Sequence, residues 1–366
     1  MTLLRRLVLV GCAVALAHSP LVAQQRANLL PKRAPNVVVI TIDGYRYQEM
    51  FTGADEAYFK RSSKGVIDAV SARYLADTPG ARRAKVMPFM WSTIATQGQI
   101  FGDPAVGSRS HVTNGLWFSY PGYNEMFSGA PDPRVDSNNK VPNPNVTVLE
   151  WLNGRPGTAG RVAAFGAWDV LPSIVNSERS HIPVGTGFVP VPNARTPRER
   201  EINELAADVP TTWSYGTVDA PMVYAAINAL KSAHPRVLYL MLGEGDEWAH
   251  ENNYALYLDA AHRADRFIER VWNTLQSLPE YRNNTTLLIT TDHGRGATLK
   301  DWSDHGKDVP AAENTWFAAL GPTVPPLGVR KNLTVTTSQL AATIAWAVGE
   351  DFNAAMPQAA PRLAVR

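Results

Sequence analysis

Four short runs set the limits on how this chain folds: Val37–Ile42, Arg161–Phe165, Val237–Leu242 and Thr285–Thr291. Each is rich in β-branched or apolar residues without polar alternation, and each is followed by Gly or Asp. Continuous runs of this kind suit strands buried on both faces, as in a parallel sheet covered by helices above and below. Helical periodicity fills the gaps between them. The clearest stretch runs from about Tyr254 to Leu278, with Leu256, Ala260, Ala264, Phe267, Val271 and Leu275 at three- and four-residue spacing. Thr147 with Glu150 reads as a capping box, and Ser338 to Val348 before Gly349 reads as a helix with a start and a stop. Strand–helix alternation predicts an α/β fold, a three-layer sandwich with a mostly parallel central sheet and helices on both faces.

Two stretches resist the pattern, about 52–85 and 172–210. The second carries Pro172, Pro183, Pro190, Pro192, Pro197 and Pro210 with little periodicity. Structureless loops of that length are uncommon unless functional, so both are expected to be insertions folding over one rim of the sheet. The predicted organisation is a leader over 1–23, a polar segment over 24–35, and a single catalytic domain over 36–366.

The leader expectation rests on Arg5 and Arg6 followed by the apolar stretch Leu7–Ala17, with small residues at Ala15, Ala17 and Ala23. That stretch is too short to span a bilayer, and no later run is long enough. The reading is a cleaved secretory signal and a periplasmic or secreted protein, with a retained N-terminal anchor as the alternative. Leu9-Val10-Gly11-Cys12 resembles a lipobox, but the apolar run before Cys12 is very short and continues past it, which argues against lipidation. Removing the leader takes away the only cysteine, so the exported chain must hold together through its core. Apolar residues make up 45% of the 366 and suffice for one. With 35 basic against 33 acidic residues and no basic stripe, a nucleic-acid surface relying on phosphate neutralisation is excluded.

In open α/β sheets ligands bind beyond the carboxyl ends of the strands. After the first run comes Asp43-Gly44, after the third Asp246 to His250, after the fourth Asp292-His293-Gly294. One such Asp is ordinarily a turn former or a helix cap. Three of them, two with imidazoles close by, point to a metal, because carboxylate oxygen and neutral imidazole nitrogen are what a zinc-like ion takes. Asp246 and His250 are four apart and share one helical face. His305 follows in Ser303-Asp304-His305-Gly306. A hydroxyl is available at Ser119, two residues before Pro121, at a helix entry where an anionic phosphate also settles.

The order of these elements resembles the alkaline phosphatase superfamily, particularly its nucleotide pyrophosphatase/phosphodiesterase-like branch. The matching motifs are Asp43-Gly44, Ser119-x-Pro121 with Ser128-Gly129, Asp246-x-x-x-His250, Asp292-His293-Gly294 and His305, over roughly residues 36–350. The resemblance implies two divalent metal ions, zinc with manganese as the alternative. It assigns Asp246, His250 and His305 to one ion and Asp43, Asp292 and His293 to the other. It further implies Ser119 as nucleophile, and an exported metal-dependent hydrolase of small phosphate esters (phosphodiester, pyrophosphate or monoester) acting through a phospho-Ser intermediate. A phosphomutase or phosphotransferase of the same superfamily is the alternative, and an inactive metal-dependent binding protein a third. Tyr123 stands where sulfatases of the superfamily need Arg, which disfavours a sulfatase. Glu244 lies near Asp246 at a spacing that does not support a third metal. Asn138, Asn139 and Lys140 lie about twenty residues past Ser119, where the diesterases place an Asn for the phosphate oxygen. Arg46 is the other candidate, although a loop salt bridge fits it equally well.

Overall fold

The computed structural model describes residues 34–62 and 69–365. The expected leader with Cys12, and nearly all of the polar segment, lie outside the described residues.

The strand β1 (Asn36–Ile42) is buried along its whole length, as its unbroken apolar sequence requires. The other strands in chain order are β2 (Gln99–Phe101), β3 (Arg109–His111), β4 (Val162–Gly166), β5 (Val184–Thr186), β6 (Val237–Leu242), β7 (Thr285–Thr290), β8 (Phe317–Leu320), β9 (Gly328–Val329) and β10 (Thr334–Thr336). Eight of them form one sheet in the order β5-β4-β6-β1-β7-β8-β2-β9, and β3 pairs with β10 apart from it. The strands from β5 to β7 run parallel, and β8 is the antiparallel member.

Alternate residues of the same strands enter two separate cores. Val38, Ile40, Leu238, Leu240, Leu287 and Ile289 face one side; Val37, Val39, Val237, Tyr239, Met241 and Leu288 face the other. The first core is closed by the helices Asp219–Ser232 and Tyr254–Ser277, the second by Ser119–Ser128, Val148–Asn153 and Leu340–Ala347. This is the three-layer arrangement that the runs predicted. Truncating a central side chain such as Leu240 to Ala costs about 2–5 kcal/mol, because neither layer can collapse into the space. Two threonines of the strands are paired inside the layers: Thr41 Oγ1 meets Tyr239 OH at 3.0 Å, and Thr290 Oγ1 donates to the Trp316 carbonyl at 2.6 Å.

Three local expectations are corrected. In the helix Tyr254–Ser277, Leu256 is half-buried, and Tyr257 and Leu258 fill the core there instead. Thr147 Oγ1 does accept from Glu150 N at 3.1 Å, but the Glu150 carboxylate turns to Arg179 Nε at 2.6 Å, so the box is only a cap. The two supposed loops carry regular structure. The first contains the helices Glu56–Ser62, Ala69–Ala72 and Pro79–Val86. The second supplies β5 to the main sheet, then the helix Pro197–Asp208, whose capping box joins Thr196 and Glu199. A three-residue strand centred on Gly185 and short proline-started helices leave too little periodicity to read.

The register brings the function-bearing ends together. Ile42 pairs with Leu242 and Thr41 with Thr290, so β6, β1 and β7 are neighbours that finish at one level. The residues that follow them, from Asp43, Gly243 and Thr291 onward, therefore emerge side by side.

Candidate metal centre

The turn after β1 places Asp43 against the exit of β7. Gly44 takes φ +58°, and a Cβ there would fall 2.4 Å from Asp246 Oδ1, so only glycine allows the close approach. Its N–H donates to Asp292 Oδ1 at 3.1 Å. Tyr123 OH donates to Asp43 Oδ2 at 2.8 Å. Each carboxylate thus has one anchored oxygen. Their other oxygens, Asp43 Oδ1 and Asp292 Oδ2, are buried without a hydrogen-bond partner and lie 3.4 and 3.5 Å from His293 Nε2. His293 Nδ1 is 2.8 Å from the Gly294 carbonyl, which suits an N–H at Nδ1 and turns Nε2 toward the two carboxylates.

Two members of the second cluster, Asp246 and His250, sit on the helix Glu244–His250, which starts directly after β6, and His305 joins them from an irregular segment. His250 Nε2 lies 3.0 Å from Asp246 Oδ2 and 3.1 Å from His305 Nε2. Arg295, fully buried, pairs with Asp246 Oδ1 and reaches the Asp246 carbonyl oxygen at 3.1 Å. In each trio, Asp246-His250-His305 and Asp43-Asp292-His293, the ligand atoms lie within 4.8 Å of one another. Two orphaned carboxylate oxygens converging on one imidazole nitrogen form a nitrogen–oxygen donor set that fits a divalent ion. The sequence grouping of the six residues is the spatial one.

Electrostatics agree with a site built around positive charge. Burial lowers the His293 pKa, but Asp292 and Asp43 outweigh it and bring it to about 9. Burial and the neighbouring Asp43 charge push Asp292 well above the usual carboxylate range. Burial also works to raise Asp246, yet Arg295 and His250 hold it well below that range. Burial and the nearby His293 hold His305 far below an ordinary imidazole.

Ser119 is the first residue of the helix Ser119–Ser128, with its Oγ 3.4 Å from His293 Nε2. Gly122 permits this helix to lie against the β7 exit, since a Cβ there would come within 2.7 Å of the Asp292 carbonyl oxygen. Ser119 opens into a cleft of about 320 Å³ that also exposes Asp43, Asp246, His250 and His305.

Asn138 and Lys140 line the cleft, and Asn139 does not. Asn138 Oδ1 accepts from Tyr120 N at 3.0 Å, which caps the first turn and leaves the amide's donors for a ligand. Lys140 Nζ pairs with Asp169 at 2.6 Å. The Arg46 candidate is corrected: its guanidinium is fully buried, holding Glu49 Oε2 at 2.7 Å and the Gly296 carbonyl at 2.7 Å, and takes no part in the cleft. Trp168, Val170, Tyr215 and Glu247 complete the walls. Tyr215 OH donates to Glu247 Oε2 at 2.8 Å, and burial with the Asp246 charge lifts Glu247 to about 7. Only Glu247 had a signal, its place beside Asp246.

The class that these features describe is an α/β fold with a mostly parallel sheet and six candidate metal ligands gathered beyond its strand ends. Residues 199–314 match the family model of the Metalloenzyme superfamily. No curated relative matches the sequence. The fold is that of the alkaline phosphatase superfamily. A member from Vibrio parahaemolyticus superposes with TM-score 0.51 at 13% identity, covering 87% of this chain and 67% of that one. A phosphonate monoester hydrolase from Silicibacter pomeroyi gives 0.54 at 15%, covering 90% and 75%. An inactive variant of murine ectonucleotide pyrophosphatase/phosphodiesterase 5, solved with AMP, gives 0.50 at 12%, covering 90% and 96%. At these identities the likeness shows the fold alone. The Metalloenzyme match and the two trios together support the use of divalent metal.

Proposed function

We propose that this chain is a two-metal hydrolase of phosphate esters that attacks phosphorus with Ser119. The observation that carries the reading is the position of Ser119 Oγ, 3.4 Å from His293 Nε2 at a helix N-terminus beside both trios. Asp43, Asp292 and His293 would hold one ion and Asp246, His250 and His305 the other, zinc before manganese. Bound there, the ions lower the pKa of nearby hydroxyl groups and neutralise charge on the phosphoryl group. Ser119 Oγ gives its proton to solvent and forms a bond to phosphorus as the bond to the alcohol oxygen breaks, and the departing alkoxide takes a proton from water. Water then displaces Ser119 Oγ from phosphorus and releases the phosphate product. The His250 side chain is 46% exposed, so water reaches the site, which favours hydrolysis over a phosphomutase.

The charge of the cleft favours a monoanion. Among the described residues, Lys140 is the only Lys or Arg lining it, and Asp169 pairs with that lysine. Asp169 offsets the charge of that lysine, and Glu247, lifted to about 7, adds a partial negative charge to the wall. A phosphodiester or phosphonate monoester carries one negative charge where a monoester carries nearly two. Trp168, Val170 and Tyr215 would flank the alcohol half, and Asn138 would donate to the non-bridging oxygen. Export remains part of this proposal through the N-terminal leader.

Assay of bis-p-nitrophenyl phosphate against p-nitrophenyl phosphate, with and without chelator, tests the reading. The expected result is faster turnover of the diester, abolished by chelation. Faster monoester turnover overturns the charge argument, and silence on both esters overturns the hydrolase.

A further inference from the structure

Glu125 is fully buried in the helix that begins with Ser119, and it faces five donors. Its carboxylate accepts from Thr113 N at 3.0 Å, Thr113 Oγ1 at 2.9 Å and Asn114 N at 2.9 Å. It also accepts from Thr337 Oγ1 at 2.8 Å and Ser338 Oγ at 2.6 Å, at the start of the last long helical segment. Asn114 continues the connection. Its Oδ1 accepts from Leu116 N at 2.8 Å and Trp117 N at 3.1 Å. Trp117 is held at φ 55°, a left-handed conformation that a bulky residue rarely adopts, and Phe118 then enters the helix whose first residue is Ser119.

We propose that Glu125 and Asn114 are positioning residues for Ser119, holding the turn over residues 113–118 in the strained form that aims Oγ at the metal trios. The inference rests on the reading of Ser119 as nucleophile. Glu125 fixes the base of the turn from within the same helix, and Asn114 fixes its apex. Without the Asn114 acceptor, Trp117 relaxes to negative φ, and the chain direction into Phe118 changes. The hydrogen bonds of Glu125 and Asn114 go to residues outside both trios, so loss of the Asn114 acceptor is expected to shift the attacking oxygen while the metal ligands keep their places.

The test uses Asn114, which is half-buried and can be truncated without opening a core cavity. In the full chain, Asn114→Ala is expected to lower kcat on bis-p-nitrophenyl phosphate by about tenfold to a hundredfold, the scale of a small misplacement of a reacting group. KM and metal content are expected to stay at parental values. Asn114→Asp, which keeps an acceptor oxygen, is expected to restore most of the rate. Trp117→Gly removes the penalty for left-handed φ, so Asn114→Ala should cost less in that background. A parental kcat for Asn114→Ala, or equal losses with and without Trp117→Gly, overturns the proposal. Ser119→Ala is the control: an unchanged rate there overturns the nucleophile reading itself, whereas a dead Ser119→Ala beside an active Asn114→Ala overturns only the relay.

Discussion

Tyr123 donates its hydroxyl to Asp43 Oδ2 at 2.8 Å and leaves Asp43 Oδ1 free to face His293. Tyr123 therefore orients a candidate metal ligand from behind. Tyr123→Phe should keep the fold and lower metal affinity about tenfold to a hundredfold, the usual cost of losing a hydrogen bond behind a ligand. Competition against a chromogenic chelator measures it. Unchanged affinity would mean that Asp43 orients without Tyr123.

The two trios should behave as separate sites. His250→Ala removes a ligand from one and Asp292→Ala from the other, and each should lose metal and rate together. Elemental analysis of the purified variants reads this out. A full complement of metal in either variant strikes that residue from the ligand set.

Ser119→Ala should retain metal yet lose most turnover, because the six Asp and His side chains need no help from the hydroxyl while the covalent step does. Ser119→Thr should keep measurable activity, since Thr fills this role elsewhere in the superfamily that the motifs resemble. Acid quenching with labelled substrate should leave phosphate on the Ser119 peptide. Label on a different peptide would sink the assignment.

The clustering of these candidate ligands could be read in advance because the three Asp follow continuous apolar runs, and such runs mark strands whose ends share one edge of a sheet. Asp43, Asp246 and Asp292 carried that signal, and the adjacent His residues strengthened it. Trp168 and Tyr215 carried none. They reach the cleft because Asp169 N donates to the Tyr215 carbonyl at 3.0 Å, a pairing of two irregular segments that no periodicity encodes. For Arg46 the salt-bridge reading holds, with Glu49, and what the sequence did not reveal is that the pair is sealed inside the fold. The strand β5 was hidden by its length, three residues with a central glycine.

Gly122→Ala should test how closely the nucleophile helix must approach β7. The added methyl would sit 2.7 Å from the Asp292 carbonyl oxygen, which is backbone and cannot swing aside. The helix must shift, taking Ser119 with it, so kcat should fall about a hundredfold while thermal stability falls by only a few degrees. Parental kcat in a folded variant would show that the helix has slack.

Asp265 allows a prediction about pH that is separate from the metals. It lies on the helix Tyr254–Ser277, fully buried, and accepts from Phe89 N at 2.7 Å and Met90 N at 2.8 Å. Burial raises its pKa to about 7; the two backbone donors pull it down and the Glu269 charge pushes it up. The folded state therefore holds this proton more tightly than the unfolded chain, whose Asp titrates near its ordinary value of about 4. Between those two pH values the folded state binds more protons, so stability must fall as pH rises, by up to about 1.4 kcal/mol per pH unit, and level off above about 7. Asp265→Asn abolishes the titration. It retains one acceptor oxygen where two are used, so it carries a constant penalty of about 1–3 kcal/mol for the unpaired N–H. The readout is accordingly the difference between the two denaturation curves as a function of pH. That difference should move in favour of Asp265→Asn from pH 5 to pH 7 and then stay flat to pH 9. Parallel stability profiles across pH 5–7 would show that Asp265 is ionised throughout, held so by Phe89 and Met90 against the cost of its burial.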